Sequence, residues 1–239
     1  MKYHERSYRN KVSNNRLVSF RVCVQETDLF ICSDTDLSDL ALQSIYKYRR
    51  FLESYIKYRP EFLSSLYPLD DDKLAPDIVR DMLKTSSAAS VGPMASVAGA
   101  IAEYVCNDLL SSSKNVIVEN GGDIYLKTEF DVRVTIFAGD SPLSYKINLL
   151  LKPDRMPIGI CTSSGTVGHS LSFGKADAVC VISKSATMAD AAATAIGNMV
   201  RDKREIKIGL ERGAQIEGVL GIAIIVGEHF GAIGDVELI

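Results

Sequence analysis

Apolar and polar residues alternate along residues 18–26, and a second apolar run occupies residues 29–33. Alternation with a period of two is typical of a half-buried β-strand. The polar pair Thr27-Asp28 separates the two runs, and we therefore predict a β-hairpin at this point of the chain.

Apolar residues recur at helical spacing in four later segments. Asp36 opens a long segment that Pro60 ends, and Pro76 begins a shorter one. Residues 94–110 and 187–203 show the same repeat, with many alanines in the second. We predict a helix in each segment, and a loop of small residues over 85–93.

Short apolar runs separated by turns of glycine, aspartate and serine dominate the second half of the chain. Such turns suit antiparallel pairing. Strands are predicted at residues 115–118, 124–127, 132–137, 145–151, 158–162, 178–183, 218–226 and 231–238. Strands, a block of helices and further strands indicate an α+β fold rather than regular βαβ winding. We predict either one domain over residues 1–239 or two intimately packed halves that meet near residues 70–92.

Composition narrows the classes of function. The formal net charge of −3 argues against a surface built for nucleic acid. An RNA-binding role, through the basic first residues and the basic face of residues 47–59, is therefore the weakest alternative. The longest apolar run, Val219–Val226, is too short to span a bilayer. Five scattered cysteines fit reduced thiols, and the first sixteen residues lack the apolar run of a secretory signal, so we expect a cytoplasmic protein.

The first candidate site lies in the sequence VENGGDIYL at residues 118–126. Paired Gly121 and Gly122 let backbone amides approach a ligand closely, while Asn120 and Asp123 can hydrogen-bond a ribose or an amide. The same residues also make an ordinary Asn-Gly hairpin turn. Taken alone, the segment is better interpreted as that turn.

The second candidate site is a segment rich in hydroxyl groups and glycine at residues 159–170. Thr162, Ser163 and Ser164 offer hydroxyl groups, and Gly165 permits a nest of backbone amides that holds a pyrophosphate. His169 is a candidate general base. A polar hairpin loop with no ligand explains the segment about equally well.

The third candidate site lies on the alanine-rich helix predicted at residues 187–203. Asp190 and Thr194 are four residues apart and share one helix face. A carboxylate and a hydroxyl together suit Mg²⁺, which keeps waters and substrate phosphates as its other ligands. Thr187 and Asp190 also match a capping box, in which Asp190 only closes the start of the helix. The pattern alone does not separate the two interpretations.

Taken together and in this order, the three segments resemble the ApbE superfamily, whose best-known members are FAD:protein FMN transferases. The matching sequences are GGD at residues 121–123, TSSG at 162–165 and ADAAAT at 189–194. The resemblance implies a T-fold-like α+β architecture with a largely antiparallel sheet. It also implies that Asp190 and Thr194 bind Mg²⁺, with a backbone carbonyl near Ala95, and that FAD is the nucleotide.

Two features of the family transferases are absent from the sequence. Residues 94–99 read MASVAG and lack the Lys-Gly pair, and residues 172–177 read SFGKAD where the family has His-Ile-Ile-Asp-Pro. The chain is thus more similar to short cytoplasmic relatives than to the transferases proper. Two functions stay open: Mg²⁺-dependent FMN transfer from FAD to a protein acceptor, or FAD pyrophosphate cleavage; and non-catalytic binding of a flavin, an adenine nucleotide or another small molecule.

Overall fold

An antiparallel sheet of eight strands forms the framework of residues 16–165 and 174–239, the parts of the chain that this computed structural model describes. The strands in these ranges are β1 (Val18–Val24), β2 (Thr27–Ser33), β3 (Val116–Asn120), β4 (Asp123–Lys127), β5 (Val132–Thr135), β6 (Asn148–Leu151), β7 (Ile158–Ser163), β8 (Ala178–Ser183), β9 (Val219–Val226) and β10 (His229–Gly234). The large sheet has the order β1-β2-β3-β4-β7-β8-β9-β10, and β5 pairs separately with β6.

The helices lie mainly between β2 and β3 and between β8 and β9. They are α1 (Ser38–Tyr58), α2 (Glu61–Ser64), α3 (Asp77–Ala89), α4 (Val97–Leu109), α5 (Ala186–Met199) and α6 (Ile206–Gly213), with a 3-10 turn at Pro93–Ser96 directly before α4. α4 packs on β3 and β4, whereas α5 packs on β7 and β8. The two central helices therefore lie side by side over the middle of the sheet.

Both faces of the large sheet are covered. Val116 and Val118 belong to the core beneath the helices, whereas Ile117 between them belongs to the core shared with β5 and β6. The same division separates Val181 from its neighbour Ile182. Because successive residues of a strand point to opposite faces, a strand buried on both faces reads as an unbroken apolar run.

Glycine permits α5 to approach its neighbours closely. A Cβ atom added to Gly99 of α4 would lie 2.3 Å from the Ala186 carbonyl oxygen, and one added to Gly159 of β7 would lie 2.4 Å from the Ala186 nitrogen. Side-chain carbon is excluded from both positions because the backbone of α5 occupies that space. The start of α5 is thus wedged between α4 and β7.

The structure confirms the α+β class and the antiparallel pairing. It also confirms the opening hairpin, although Thr27 and Asp28 belong to β2 and the turn is at residues 25–26, with Gln25 at a φ of 54°. The strand predicted at 145–151 starts only at Asn148, since Tyr145 has a φ of 61°.

The loop predicted over residues 85–93 is wrong, because α3 continues to Ala89. Thr85 Oγ1 donates to the Asp81 carbonyl at 2.8 Å and Ser86 Oγ donates to the Leu83 carbonyl at 3.0 Å. These bonds direct the hydroxyls back to the preceding turn, so small polar side chains remain inside the helix. The helix predicted to residue 203 ends at Met199, and α6 was not predicted.

No single helix in the described residues is long and apolar enough to cross a membrane. α3 and residues 93–109 together meet that criterion of length and composition, as a pair bent by 103°.

We expect Gly159→Ala to lower the free energy of unfolding by about 1–3 kcal/mol or more, because the new Cβ meets backbone atoms that cannot rotate away. Gly197→Ala is the matched control, since the nearest atom there is the Ser163 hydroxyl at 3.3 Å. Alanine also favours the helix by about 1 kcal/mol over glycine. Urea unfolding measures both variants, and equal losses of stability would contradict the close approach of α5 to β7.

Candidate functional site

Three oxygen-bearing groups lie along the contact of α5 with the 3-10 turn and the start of α4. Thr194 Oγ1 donates to the Ala95 carbonyl oxygen at 3.4 Å. The carboxylate of Asp190, one turn earlier on α5, accepts the Gly99 backbone N–H at 2.9 Å. The three residues Ala95, Asp190 and Thr194 are each partly exposed to solvent. We call them the oxygen corner.

Asp190 does not cap its own helix, so the capping-box interpretation is wrong. The N-cap of α5 is Ser185, whose Oγ accepts the Met188 N–H at 3.2 Å. Asp190 instead accepts N–H groups from the first turn of α4, where the N-cap residue Ser96 makes no side-chain capping bond because its hydroxyl donates to the Pro93 carbonyl. A carboxylate at this position satisfies unpaired N–H groups and interacts favourably with the helix dipole.

A second carboxylate lies beneath the oxygen corner. Asp123 of β4 is only 8% exposed, and burial together with the charge of Asp190 raises its pKa well above the usual range. Burial also raises the pKa of Asp190 to about 7, although N–H groups of Gly99 and Ala98 favour its charged form. Within residues 16–165 and 174–239, no Lys or Arg forms an ion pair with either carboxylate. Among the described residues, no cation therefore offsets the charge that these two carboxylates carry when they ionise.

The Gly-Gly-Asp segment forms the predicted tight turn between β3 and β4. Gly121 and Gly122 have φ values of 70° and 107°, and Asn120 pairs with Asp123 across the turn. Two successive positive φ angles are those of a type I′ hairpin turn, which glycine adopts without a steric penalty.

The turn residues are also engaged with the rest of the site. Asn120 Nδ2 donates to the Ala98 carbonyl at 3.1 Å, and the Gly122 N–H donates to Glu119 Oε1 at 2.8 Å. Asn120 is buried, whereas Gly121 is exposed. The turn thus supports the start of α4 and leaves Gly121 at the surface.

The hydroxyl-rich segment begins at the end of β7, next to both other segments. The Thr162 backbone N–H favours the charged form of Asp123 by hydrogen bonding, and Ser163 lies against Gly197 on α5. The Gly165 N–H donates to the Ala176 carbonyl at 2.9 Å, and Thr162, Ser163 and Ser164 are partly exposed. The structure therefore brings the three predicted segments together. His169 lies outside the described residues.

The donor set fits a hard cation. Carboxylate, hydroxyl and carbonyl oxygens are the ligands that Mg²⁺ prefers, and it commonly retains waters that exchange for phosphate oxygens. No cluster of three or more His, Cys, Asp or Glu side chains suited to a metal occurs in the described parts of the chain. The oxygen corner is therefore suited to a weakly held, oxygen-ligated ion rather than to a zinc centre.

Sequence reasoning missed two residues that shape the site. Gly99 allows α4 to meet α5, and Glu103 of α4 accepts the Thr187 N–H at 3.0 Å at the start of α5. The helical repeat showed Glu103 only as a polar position on a helix. Its partner lies 84 residues away, and no local pattern reports that contact.

The basic face proposed for RNA binding is partly neutralised by the protein itself. Lys47 pairs with Asp108 at 3.3 Å, Arg49 with Glu26 at 2.9 Å, and Arg59 with Glu61 at 2.9 Å. The basic positions 2, 6, 9 and 11 lie outside the described residues. The observed ion pairs favour a solvated helix face over a phosphate-binding surface.

Comparison with known proteins identifies the family. A family model described as "AbpE bacteria" matches residues 9–226. The UPF0280 protein of Methanococcus aeolicus is 42% identical over 92% of this chain and 91% of its own length. That of Methanocaldococcus jannaschii is 43% identical over 90% of each chain. The chain belongs to the AbpE family of the ApbE superfamily.

Solved structures of ApbE proteins share the fold of this AbpE-family chain. The apo flavinyl transferase ApbE of Pseudomonas stutzeri aligns with a TM-score of 0.57 at 16% identity, covering 91% of this chain and 94% of its own. The flavin transferase ApbE of Vibrio cholerae aligns with a TM-score of 0.57 at 13% identity, covering 91% and 96%. The resemblance in sequence motifs and the ApbE-like α+β architecture are both confirmed.

The carboxylates predict how stability depends on pH. The pKa of Asp190 in the folded protein is about 7, above the unfolded value of about 3.9, so its contribution is complete below about pH 4 and lost as the pH rises towards 7. We expect the metal-free AbpE-family protein to lose thermal stability between about pH 4 and pH 7. Asp190→Asn should flatten this decline and raise the melting temperature at pH 8, because no charge is buried there.

Asp71→Asn, which alters an exposed carboxylate, is the matched control and should leave the pH profile unchanged. Differential scanning calorimetry without divalent metal measures the three proteins. A profile for Asp190→Asn parallel to that of the wild type would contradict the assignment of the decline to this carboxylate.

Proposed function

We propose that this protein binds FAD or a related flavin nucleotide and that the oxygen corner holds Mg²⁺ against the pyrophosphate of that ligand. The observation that carries the proposal is the oxygen corner itself, where a carboxylate, a hydroxyl and a carbonyl lie along one helix contact and the carboxylate interacts with the buried Asp123. A bound cation would offset the cost of placing two carboxylates together in a poorly hydrated site.

Each residue of the oxygen corner has a defined part in holding the ion. Asp190 supplies charge, Thr194 supplies its hydroxyl oxygen, and Ala95 supplies a carbonyl that needs no particular side chain. When bound, Mg²⁺ supplies charge neutralisation for phosphate oxygens. Partial exposure of all three residues leaves the ion reachable by a ligand from solvent.

The segment from Thr162 to Gly165 is the surface proposed to position the pyrophosphate. It is partly exposed and lies against α5 near Gly197, three residues beyond Thr194. Asn120 and Asp123, first considered as nucleotide ligands, are proposed to hold the site in shape, since both are buried and bonded within the protein. The exposed Gly121 is the residue of that turn open to a ligand.

The solved relatives support the flavin assignment. Two ApbE proteins that share this fold are described as a flavinyl transferase and a flavin transferase. In such a reaction a hydroxyl of an acceptor protein gives its proton to a base, its oxygen bonds to the phosphorus on the FMN side of FAD, and the bond from that phosphorus to the bridging oxygen breaks, so that AMP leaves with that oxygen. In the related hydrolysis, water takes the place of the acceptor hydroxyl and FMN and AMP are released. Both reactions therefore produce AMP.

Non-catalytic binding is the second candidate function. The segment 94–99 carries no lysine, and its Gly99 N–H and Ala98 carbonyl are engaged with Asp190 and Asn120. This segment therefore presents no basic side chain to a phosphate, which favours binding over turnover.

We expect FAD to bind more tightly in the presence of Mg²⁺, and Thr194→Val to abolish most of that enhancement. Loss of residues that only support metal ligands weakens metal affinity by about 10–100-fold, so loss of a ligand should cost at least about tenfold. Thr135→Val, in β5 of the small sheet, is the matched control. Isothermal titration of FAD with and without Mg²⁺ measures the effect, and equal Mg²⁺ dependence in both variants would refute the assignment of Thr194.

Incubation with FAD and Mg²⁺ separates an enzyme from a binding protein. We expect slow or absent release of AMP, measured by chromatography of the nucleotides. If turnover occurs, His169→Ala should slow it by about 10²–10⁴-fold with little change in FAD affinity, as for loss of a general acid or base. Rapid AMP formation that does not depend on His169 would exclude that residue as the base.

A further inference from the structure

A ladder of contacts joins α5 to α4 and its preceding turn at intervals of one helical turn. Thr194 meets Ala95, Asp190 meets Gly99, and at the far end the start of α5 meets Glu103. Residue numbers rise along α4 as they fall along α5, in steps of about four. The three contacts therefore report a single register between the two helices.

Glu103 accepts three hydrogen bonds through one carboxylate oxygen. The donors to its Oε2 are Ser185 Oγ at 2.7 Å, Thr187 Oγ1 at 2.9 Å and the Thr187 backbone N–H at 3.0 Å. Thr187 is 1% exposed, so its groups depend on protein partners. Charge-assisted bonds of this kind are about twice as strong as neutral ones.

Glu103 and Asp190 act as reciprocal caps. Glu103, on α4, accepts N–H and hydroxyl groups at the start of α5, and Asp190, on α5, accepts an N–H at the start of α4. Each carboxylate also lies at the positive end of the partner helix dipole. A displacement of one helix past the other weakens both caps together.

We propose that Glu103 is a positioning residue for the oxygen corner: by fixing the start of α5 against α4, it sets the register that places Asp190 and Thr194 beside Ala95. The inference rests on the proposed metal site. One residue along a helix corresponds to about 1.5 Å, whereas Mg²⁺ requires oxygen ligands at about 2.0–2.1 Å in near-ideal octahedral geometry. A slip of a fraction of one residue is therefore enough to weaken metal binding.

The test is the affinity for Mg²⁺ alone, measured by isothermal titration on the full-length protein without flavin. Glu103→Ala should weaken Mg²⁺ binding by about 10–100-fold, as is typical for residues that orient metal ligands. Glu103→Gln keeps an acceptor oxygen for Ser185 and Thr187 and should restore most of the affinity. The rescue by Gln separates positioning by hydrogen bonds from any general effect of negative charge.

Tyr104→Phe is the matched control for lost stability. It removes a 2.6 Å hydrogen bond to Asp81 from the neighbouring position of the same helix, on a side that does not face α5. We expect this variant to unfold at lower urea concentration and to bind Mg²⁺ as the wild type does.

Two results would overturn the inference in different ways. If the wild type binds Mg²⁺ and Glu103→Ala binds it equally well, Glu103 has no positioning role and the metal site stands. If the wild type binds no Mg²⁺ while Asp190→Asn also leaves FAD binding unchanged, the metal site and the role of Glu103 both fail.

If Glu103→Ala does not fold, the comparison of Glu103→Gln with Thr187→Ser and Thr187→Val decides the question. Thr187→Val, which loses the hydroxyl, should weaken Mg²⁺ binding, whereas Glu103→Gln and Thr187→Ser should not.

Discussion

The close antiparallel contact between α4 and α5 is the constraint on which the site depends. Gly99 makes the contact possible, since a side chain there would overlap the carbonyl of Ala186. The approach leaves the first turn of each helix with unpaired N–H groups facing the other helix. Asp190 and Glu103 satisfy those groups reciprocally, and the oxygen corner is a consequence of the register they share.

The same contact places the carboxylates of Asp190 and Asp123 close together, and no Lys or Arg in the described residues forms an ion pair with either of them. Asp190 is hydrogen-bonded to the backbone of α4, and Asp123, which interacts with it, is buried away from water. Hydrogen bonds from Thr162 and Gly99 lower the cost of the charges without removing their repulsion. Two carboxylates so placed either take up a proton or bind a cation. Partial exposure of the oxygen corner makes cation binding from solvent feasible.

Local sequence patterns predicted most of the fold because most strands and helices are marked by apolar runs, helical repeats and turn residues within their own segment. The strand Ala178–Ser183 was predicted with the bounds observed, since an apolar run bounded by polar turns reports a strand buried on both faces. The end of α3 was missed because Thr85 and Ser86 are turn-forming residues whose hydroxyls happen to bond within the helix. No element was predicted over α6, where Gly209 and Gly213 allow the helix to pack on Ile196 and Val200.

Local patterns alone predicted the site as three separate segments, and only the resemblance to the ApbE superfamily joined them. Asp190 and Thr194 had an ordinary structural interpretation of equal weight, Thr162 one of about equal weight, and Asn120 and Asp123 were better interpreted as a hairpin turn. Proximity in space distinguishes a functional site from an ordinary turn or helix. That proximity depends on contacts such as the one between Thr194 and Ala95, which are 99 residues apart in sequence. Glu103 carried no signal at all, because a helical acid looks the same whether it faces solvent or caps a neighbouring helix.

The most direct test of this account is the position of a bound ion. A crystal of the protein soaked in Mn²⁺, which has the same preference for oxygen ligands and scatters anomalously, would locate it. The account predicts one anomalous peak within bonding distance of the Asp190 carboxylate, Thr194 Oγ1 and the Ala95 carbonyl oxygen, and its loss in Asp190→Asn. A peak elsewhere in the molecule, or no peak at saturating Mn²⁺, would contradict it.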